Sequence, residues 1–100
     1  MTRRVRYLDP ESLAVDIALA LPDARAAERF ASVDLPAALD QLAVPGLFEA
    51  LELGAWPGRR LVVEPGQTVG AFSVFVEMED DGGLVVYAVD IWPGGFPEDP

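Results

Sequence analysis

The chain has 100 residues, carries a formal net charge of −10 and contains no histidine, cysteine or lysine. Those absences exclude the side chains that most often perform nucleophilic, redox and proton-shuttle chemistry. The excess of acids argues against binding to nucleic acid or to an anionic membrane, because both need basic side chains. The hydrophobic fraction of 51% favours one domain with a packed core.

The first half of the chain predicts one short strand followed by three or four short helices. Residues 3–8 alternate between polar and apolar, which is typical of a strand. Asp9, followed by proline and glutamate, favours a helix start. Asp23 and Asp34 mark the starts of a second and a third segment. Apolar residues at helical spacing continue over residues 10–53, in pieces that proline and glycine separate.

Beyond this region the apolar period changes from about 3.6 to 2, which predicts strands. The strands are predicted at residues 60–64, 69–79 and 84–92, and the last two flank an acidic, glycine-rich turn at residues 80–83. Strand, helices and then three strands in succession predict an α+β fold: helices on one face of a three-stranded antiparallel meander. We expect a single domain over residues 1–93 and a flexible acidic Pro/Gly tail over residues 94–100.

The register of the final hairpin follows from the pattern of its two strands. A turn of two or four residues makes one face apolar apart from a single phenol, and a slip of one residue would destroy that match. The residues predicted on this core face are Phe72, Val74, Val76, Met78, Val85, Tyr87, Val89 and Ile91. The residues predicted on the outer face are Ser73, Phe75, Glu77, Glu79, Leu84, Val86, Ala88 and Asp90.

The negative charge is concentrated in the second part of the chain. Residues 61–100 hold eight acids and no base, whereas residues 1–60 hold nine acids and all seven arginines. Acids around aromatic and aliphatic groups form a docking surface for a basic protein. The predicted partner-binding residues are Phe75, Glu77, Glu79, Leu84, Val86, Asp90 and Trp92. Alternatively, the protein's own helices or the second subunit of a homodimer bury this face.

The order of elements resembles the RelE/ParE toxin superfamily, with its strand, helical hairpin and three-stranded meander. Local similarity lies in the helical stretch 37–43, in Arg59–Val63 as the second strand, and in residues 70–77 and 84–89 as the final hairpin. The resemblance implies a ribosome-dependent ribonuclease, which must stabilise phosphate charge.

The toxin family's functional residues do not carry over to this chain. Ser73 stands where the family usually has a basic residue in the third strand, and Ile91-Trp92-Pro93 replaces its terminal basic or aromatic residue. Only Arg59 and Arg60 match a basic position. We therefore expect a non-catalytic protein-binding domain, such as an inhibitor, immunity or antitoxin-like protein, with no cofactor and no ribonuclease activity.

Two further alternatives concern charged residues. Glu77, Glu79 and Asp90 on one hairpin face are able to share a proton or a cation, which would suit a carboxylate enzyme or a cation-binding domain. The short basic patch Arg3, Arg4 and Arg6 suits contact with RNA, or ion pairs with the protein's own acids. The absence of cysteine favours the cytoplasm as the compartment.

Overall fold

The computed structural model describes residues 3–53 and 58–96, with the backbone alone at residues 52 and 53. A five-stranded sheet forms its centre, in the order β1-β5-β4-β3-β2. The strands are β1 (Val5–Tyr7), β2 (Glu52–Leu53), β3 (Arg59–Val63), β4 (Ala71–Met78) and β5 (Leu84–Trp92). β1 is parallel to β5, and all other neighbours are antiparallel. The predicted α+β class and meander are confirmed, whereas the two-residue strand β2 was not predicted.

Four helices connect β1 to β2: α1 (Pro10–Ala20), α2 (Ala24–Arg29), α3 (Leu35–Leu42) and α4 (Leu47–Ala50). The two predicted N-caps are confirmed, because their side chains satisfy free N–H groups at the helix starts. Asp9 accepts a hydrogen bond from the Ser12 N–H at 3.1 Å, and Asp23 accepts one from the Arg25 N–H at 3.0 Å.

A π-helical segment, Phe30–Asp34, joins α2 to α3, so these helices form one irregular run. The Leu35 N–H donates to the Phe30 carbonyl, five residues earlier. Pro36, the next residue, has no N–H and therefore leaves no backbone donor unsatisfied there. The expected new helix start at Asp34 is corrected, since its side chain does not cap α3.

Instead, the Asp34 carboxylate holds the loop between β3 and β4. The side chain is buried, and its oxygens accept hydrogen bonds from the N–H groups of Gln67 and Thr68 at 2.7 and 2.9 Å. A third hydrogen bond, 2.6 Å long, comes from the Thr68 hydroxyl. Buried carboxylates require such partners, so this contact fixes the loop against the helices.

The final hairpin has a three-residue turn, Asp80–Gly82, rather than one of two or four residues. The Glu79 N–H donates to the Gly83 carbonyl at 2.7 Å, and Gly82 has φ +87°. This is the three-residue hairpin loop with glycine in the left-handed region. The odd loop length shifts the pairing by one residue near the turn, so that Val76 pairs with Val86.

A β-bulge at Tyr87 restores the predicted register further along the hairpin. Phe72 pairs with Ile91 and Val74 with Val89, as predicted. Between the bulge and the turn, however, the faces of β5 are exchanged, because each side chain alternates with the strand period. The predicted face is therefore wrong for Leu84 and Val86, which are fully buried in the core, and for Val85 and Tyr87, which lie outside the core cluster. Met78 pairs with Leu84 and keeps its predicted face, but it is 42% exposed at the end of β4.

One apolar cluster fills the space between the helices and the sheet. The Phe30 ring meets the Phe72 ring edge-on, with centroids 5.0 Å apart. Each large side chain buried here contributes roughly 1.5–3 kcal/mol. The cluster includes Leu13, Ile17, Leu21, Leu35, Leu42, Phe72, Val74, Val76, Leu84, Val86 and Val89. Within residues 3–53 and 58–96, the helices therefore occupy one face of the sheet, and none covers the other face.

Candidate protein-binding surface

The outer face is the side of the sheet that points away from the apolar cluster. Its centre is Arg60 on β3, which pairs with Phe75 on β4. The Arg60 Nε donates to the Ser73 hydroxyl at 2.9 Å. Its guanidinium carbon lies 5.9 Å from the ring centroids of both Phe75 and Trp92. Arg60 thus links three strands through one hydrogen bond and two cation–π contacts.

Aromatic rings extend this centre in two directions. On one side the Phe75 and Tyr87 rings lie 6.2 Å apart. On the other, the Trp92 and Phe96 rings lie 4.6 Å apart, and the Gly95 N–H donates to the Trp92 carbonyl. Residues 94–96 are thus held against β5, and the rest of the predicted tail lies outside the described residues. The rings are half-buried, so part of each remains accessible.

Glycine is required at one point beside this surface. A side-chain Cβ at Gly70 would lie 2.1 Å from the Gly95 backbone nitrogen. The Gly70 N–H also donates to the Pro93 carbonyl at 2.8 Å. The start of β4 and the turn after β5 therefore touch backbone to backbone, which positions Phe96 on Trp92.

The N-terminal arginines engage one predicted surface acid, Glu79, and one acid of the hairpin turn, Asp81. The Arg6 guanidinium donates two hydrogen bonds to Glu79, at 2.8 and 2.7 Å. Those bonds hold the pKa of Glu79 below its ordinary value. Arg4 forms an ion pair with Asp81, whose pKa is lowered first by the hydrogen bond from the Gly83 N–H and then by Arg4. The local charge is partly neutralised at this end of the sheet.

Arg3 completes the same pattern, since it pairs with Glu49 at 2.9 Å. Contact with Arg3 contributes to a lowered pKa of Glu49, after a backbone hydrogen bond. Of the two sequence interpretations of the basic patch, the structure supports ion pairs with the protein's own acids.

The structure brings together four of the seven predicted partner-binding residues. Phe75, Glu77, Asp90 and Trp92 lie on the outer face, and Ser73 is paired with Asp90 as predicted. Glu79 lies at the rim, held by Arg6. The other two, Leu84 and Val86, lie in the core, because the three-residue turn reverses the direction of their side chains. They leave the proposed surface.

Sequence reasoning missed Arg60 and Tyr87 as members of this surface. The signal for Arg60 was available: the antiparallel pairing of residues 60–64 with β4 places it beside Phe75. Tyr87 required knowledge of the bulge. Burial raises the pKa of Tyr87, and the nearby Glu77 carboxylate adds to that effect. A phenol in that state stays protonated at neutral pH and acts as a hydrogen-bond donor.

Arg59 does not belong to the outer face. Its guanidinium donates to the carbonyls of Leu51 and Glu49 at 2.7 and 3.3 Å. The same group lies 5.3 Å from the centroid of the Phe48 ring. Arg59 thus fastens α4 to the start of β3.

Within residues 3–53 and 58–96, no three acidic side chains approach one another closely enough to hold a metal ion. The same part of the chain contains no helix with the length and apolar character needed to cross a membrane.

Comparisons with known proteins yield no relative from which a function can be transferred. No family model matches the chain. The comparisons with curated proteins and with solved structures likewise yield no match.

Proposed function

We propose that this protein is a small non-catalytic binding domain whose outer sheet face docks a basic region of another protein. The observation that carries the proposal is the row of half-buried aromatic rings around Arg60, on the face that no helix of the described chain covers. Rigid aromatic side chains supply much of the binding energy at protein interfaces. Tyr87, Phe75 and Trp92 are residues of that type.

The charges around these rings favour a basic partner. Glu77 and Asp90 flank the aromatic row, and Glu64 and Asp80 lie exposed beyond it. From residue 61 to residue 96 the chain contains no base. Arg60 is a cation at the centre of the face, but the four acids around it outnumber it. The resulting net negative field speeds encounter with a positive surface and discourages acidic partners. The Arg6–Glu79 pair contributes little to the field, since its charges cancel.

Binding is favoured over catalysis by the chemistry of the side chains present. Without histidine, cysteine or lysine, acid–base steps would depend on carboxylates or on the two tyrosines. Arg59 donates to backbone carbonyls, and Arg60 is held by Ser73 and two rings. Both arginines are thus occupied by contacts within the protein, which argues against a role on RNA phosphates.

The alternative is a toxin-like or degenerate ribonuclease of the RelE/ParE type, which the order of elements favours. A carboxylate enzyme or cation-binding domain is the second alternative. Expression in a bacterial host distinguishes the first alternative: we expect unchanged growth and intact mRNA. Ribosome-dependent cleavage that is lost in Arg59→Ala or Arg60→Ala would establish the toxin function instead. We place the protein in the cytoplasm, as the lack of cysteine suggests.

The proposal is tested by recovering binding proteins from the native host with immobilised wild-type domain and measuring their association kinetics. We expect a basic partner. Trp92→Ala should mainly raise its dissociation rate, by about 30-fold for a hot spot worth about 2 kcal/mol. Glu77→Gln and Asp90→Asn should mainly slow association and flatten its salt dependence.

The matched control is Asp40→Asn, which removes one exposed charge from α3 on the helical side. It should change the association rate less than Glu77→Gln does. An acidic partner, or binding that depends on the helical side alone, would contradict the proposed function. A homodimer that buries the outer face would replace the basic partner with a second copy.

A further inference from the structure

The edge of β5 beyond Val86 is not paired with another strand among the described residues. β1 pairs with β5 for three residues only, from Val5 opposite Leu84 to Tyr7 opposite Val86. The Leu8 N–H still donates to the Val86 carbonyl, and the chain then turns into α1. Backbone groups of alternate residues in a strand point to one side. Alternate residues of 88–91 therefore present free hydrogen-bonding groups along this edge, whereas the Trp92 carbonyl already accepts from the Gly95 N–H.

A groove follows this edge between β5 and the second half of α1. The cavity has a volume of about 620 Å³. Leu19 and Ala20 form its helical wall, and the Leu19 side chain is 76% exposed, the largest exposure among the large apolar residues described. Ile91 and Trp92 form the strand wall. Proteins usually protect an exposed strand edge with charged side chains, so an exposed leucine beside this edge indicates a docking site.

The groove is acidic. Its two charged lining residues are Asp16 on α1 and Asp90 on β5, and no basic residue lines it. Asp90 and Trp92 point to the outer-face side of the edge, whereas Val89 and Ile91 point to the helical side. A strand added here would therefore meet apolar groups on one side and a carboxylate beside an indole ring on the other.

We infer that the β5 edge accepts an extended basic segment of a partner protein as a sixth strand, with apolar side chains against Leu19 and Ile91 and basic side chains against Asp90. This rests on the proposed function and specifies its mode. Strand addition supplies affinity through main-chain hydrogen bonds, and alternate side chains supply specificity. The acids disfavour a second copy, because that pairing would place the same carboxylates close together.

The first test uses the full-length 15N-labelled protein and an acetylated, amidated heptapeptide of alternating valine and arginine. We expect amide shifts in residues 88–92 and in the second half of α1, with new exchange protection at alternate amides of β5. Two further peptides carry N-methyl groups, one on the odd-numbered amides and one on the even-numbered amides. Because only one of these sets faces β5, one peptide should bind at least tenfold more weakly and the other less than twofold more weakly. The corresponding valine–glutamate peptide should bind at least tenfold more weakly.

Variants at the groove complete the test. Leu19→Arg should weaken binding of the basic peptide at least tenfold. Val15→Arg is the matched control, because Val15 is exposed one turn earlier on α1, outside the groove, and gains the same charge. It should change the affinity less than twofold. Asp16→Asn combined with Asp90→Asn should weaken binding about fivefold and remove most of its salt dependence.

Several results would overturn the inference. The first is no binding at millimolar peptide concentration, and the second is an equal loss of affinity for both N-methylated peptides. The third is amide chemical-shift changes that are confined to Phe75 and Arg60. That last result would leave the proposed function intact, because it places the partner on the outer face alone. Edge amides already protected in the free monomer would show that the chain covers its own edge. A concentration-dependent dimer with the same protection would assign the edge to a second copy.

Discussion

The core face and the outer face of the sheet are built from alternate residues of the same strands, yet they are held together differently. On the core face, Phe72, Val74 and Val76 are almost fully buried against helices, and their contacts are apolar. On the outer face, Arg60 binds a hydroxyl and two rings, and Arg6 binds a carboxylate. The first face contributes stability through burial, whereas the second combines modest stability with accessible charge and aromatic area.

The largest expected effect comes from breaking the core face. Val76→Asp should lower the free energy of unfolding by about 4 kcal/mol or more, because it buries a charge without a partner. Val62→Asp makes the same change on the outer face, where Val62 is 43% exposed. We expect about 1 kcal/mol or less there. Chemical denaturation followed by circular dichroism measures both, and equal losses would contradict the distinction between the faces.

The core face also shows how far the sequence alone leads. Alternation over residues 72–76 and 88–91 predicted both the strands and their pairing, since the faces are visible in the pattern. The shift at the turn was not predictable from that pattern. Turns of three and of four residues fit the same acidic, glycine-rich segment, and the bulge at Tyr87 compensates for the odd length. Leu84 and Val86 were misplaced for this reason.

Long-range side-chain contacts were less accessible to sequence reasoning. Asp34 resembled an ordinary helix start, because an aspartate before leucine and proline commonly is one. Its true partners lie 33 and 34 residues away, in the loop after β3. Arg4 and Arg6 pair with acids more than 70 residues distant. Such contacts follow from the fold, which brings β1 beside β5, and not from any local spacing.

The second largest effect is expected at Asp34, which fastens the loop above the core face. Asp34→Ala should cost about 3 kcal/mol, because two N–H groups and a hydroxyl lose their buried acceptor together. Asp34→Asn keeps one acceptor oxygen and should cost roughly half as much. Asp40→Ala, at an exposed position on α3, is the control and should stay within about 0.5 kcal/mol. Hydrogen exchange at Gln67 and Thr68 should accelerate only in the Asp34 variants.

A smaller effect is expected on the outer face at Arg60. Arg60→Ala should lower the free energy of unfolding by about 1 kcal/mol, through the lost hydrogen bond to Ser73 and the lost ring contacts. A double-mutant cycle with Trp92→Ala should give a coupling of about 0.5 kcal/mol or more. Arg60→Lys should recover part of the loss, since it keeps the charge but not the planar group. Additive losses would show that the ring contact contributes nothing.

The smallest effect concerns the rim of the outer face, where Arg6 holds Glu79. The folded pKa of Glu79 lies below its ordinary value, so the pair stabilises the folded state fully above pH of about 4.3, the ordinary glutamate pKa. The contribution is then lost as the pH falls through the lower, folded value. Glu79→Gln removes the titrating group while keeping its size. We therefore expect wild type to melt above Glu79→Gln at pH 7, and the difference to shrink as the pH falls below 4.3.

Asp80→Asn, next along the turn and without an ion pair in the described part of the chain, is the control. The stability difference between wild type and Asp80→Asn should change less over the same range. The opposite result would be a wild type that melts below Glu79→Gln at pH 7 and gains on it as the pH falls. The pair would then destabilise the fold, and the rim would contribute only to the surface charge.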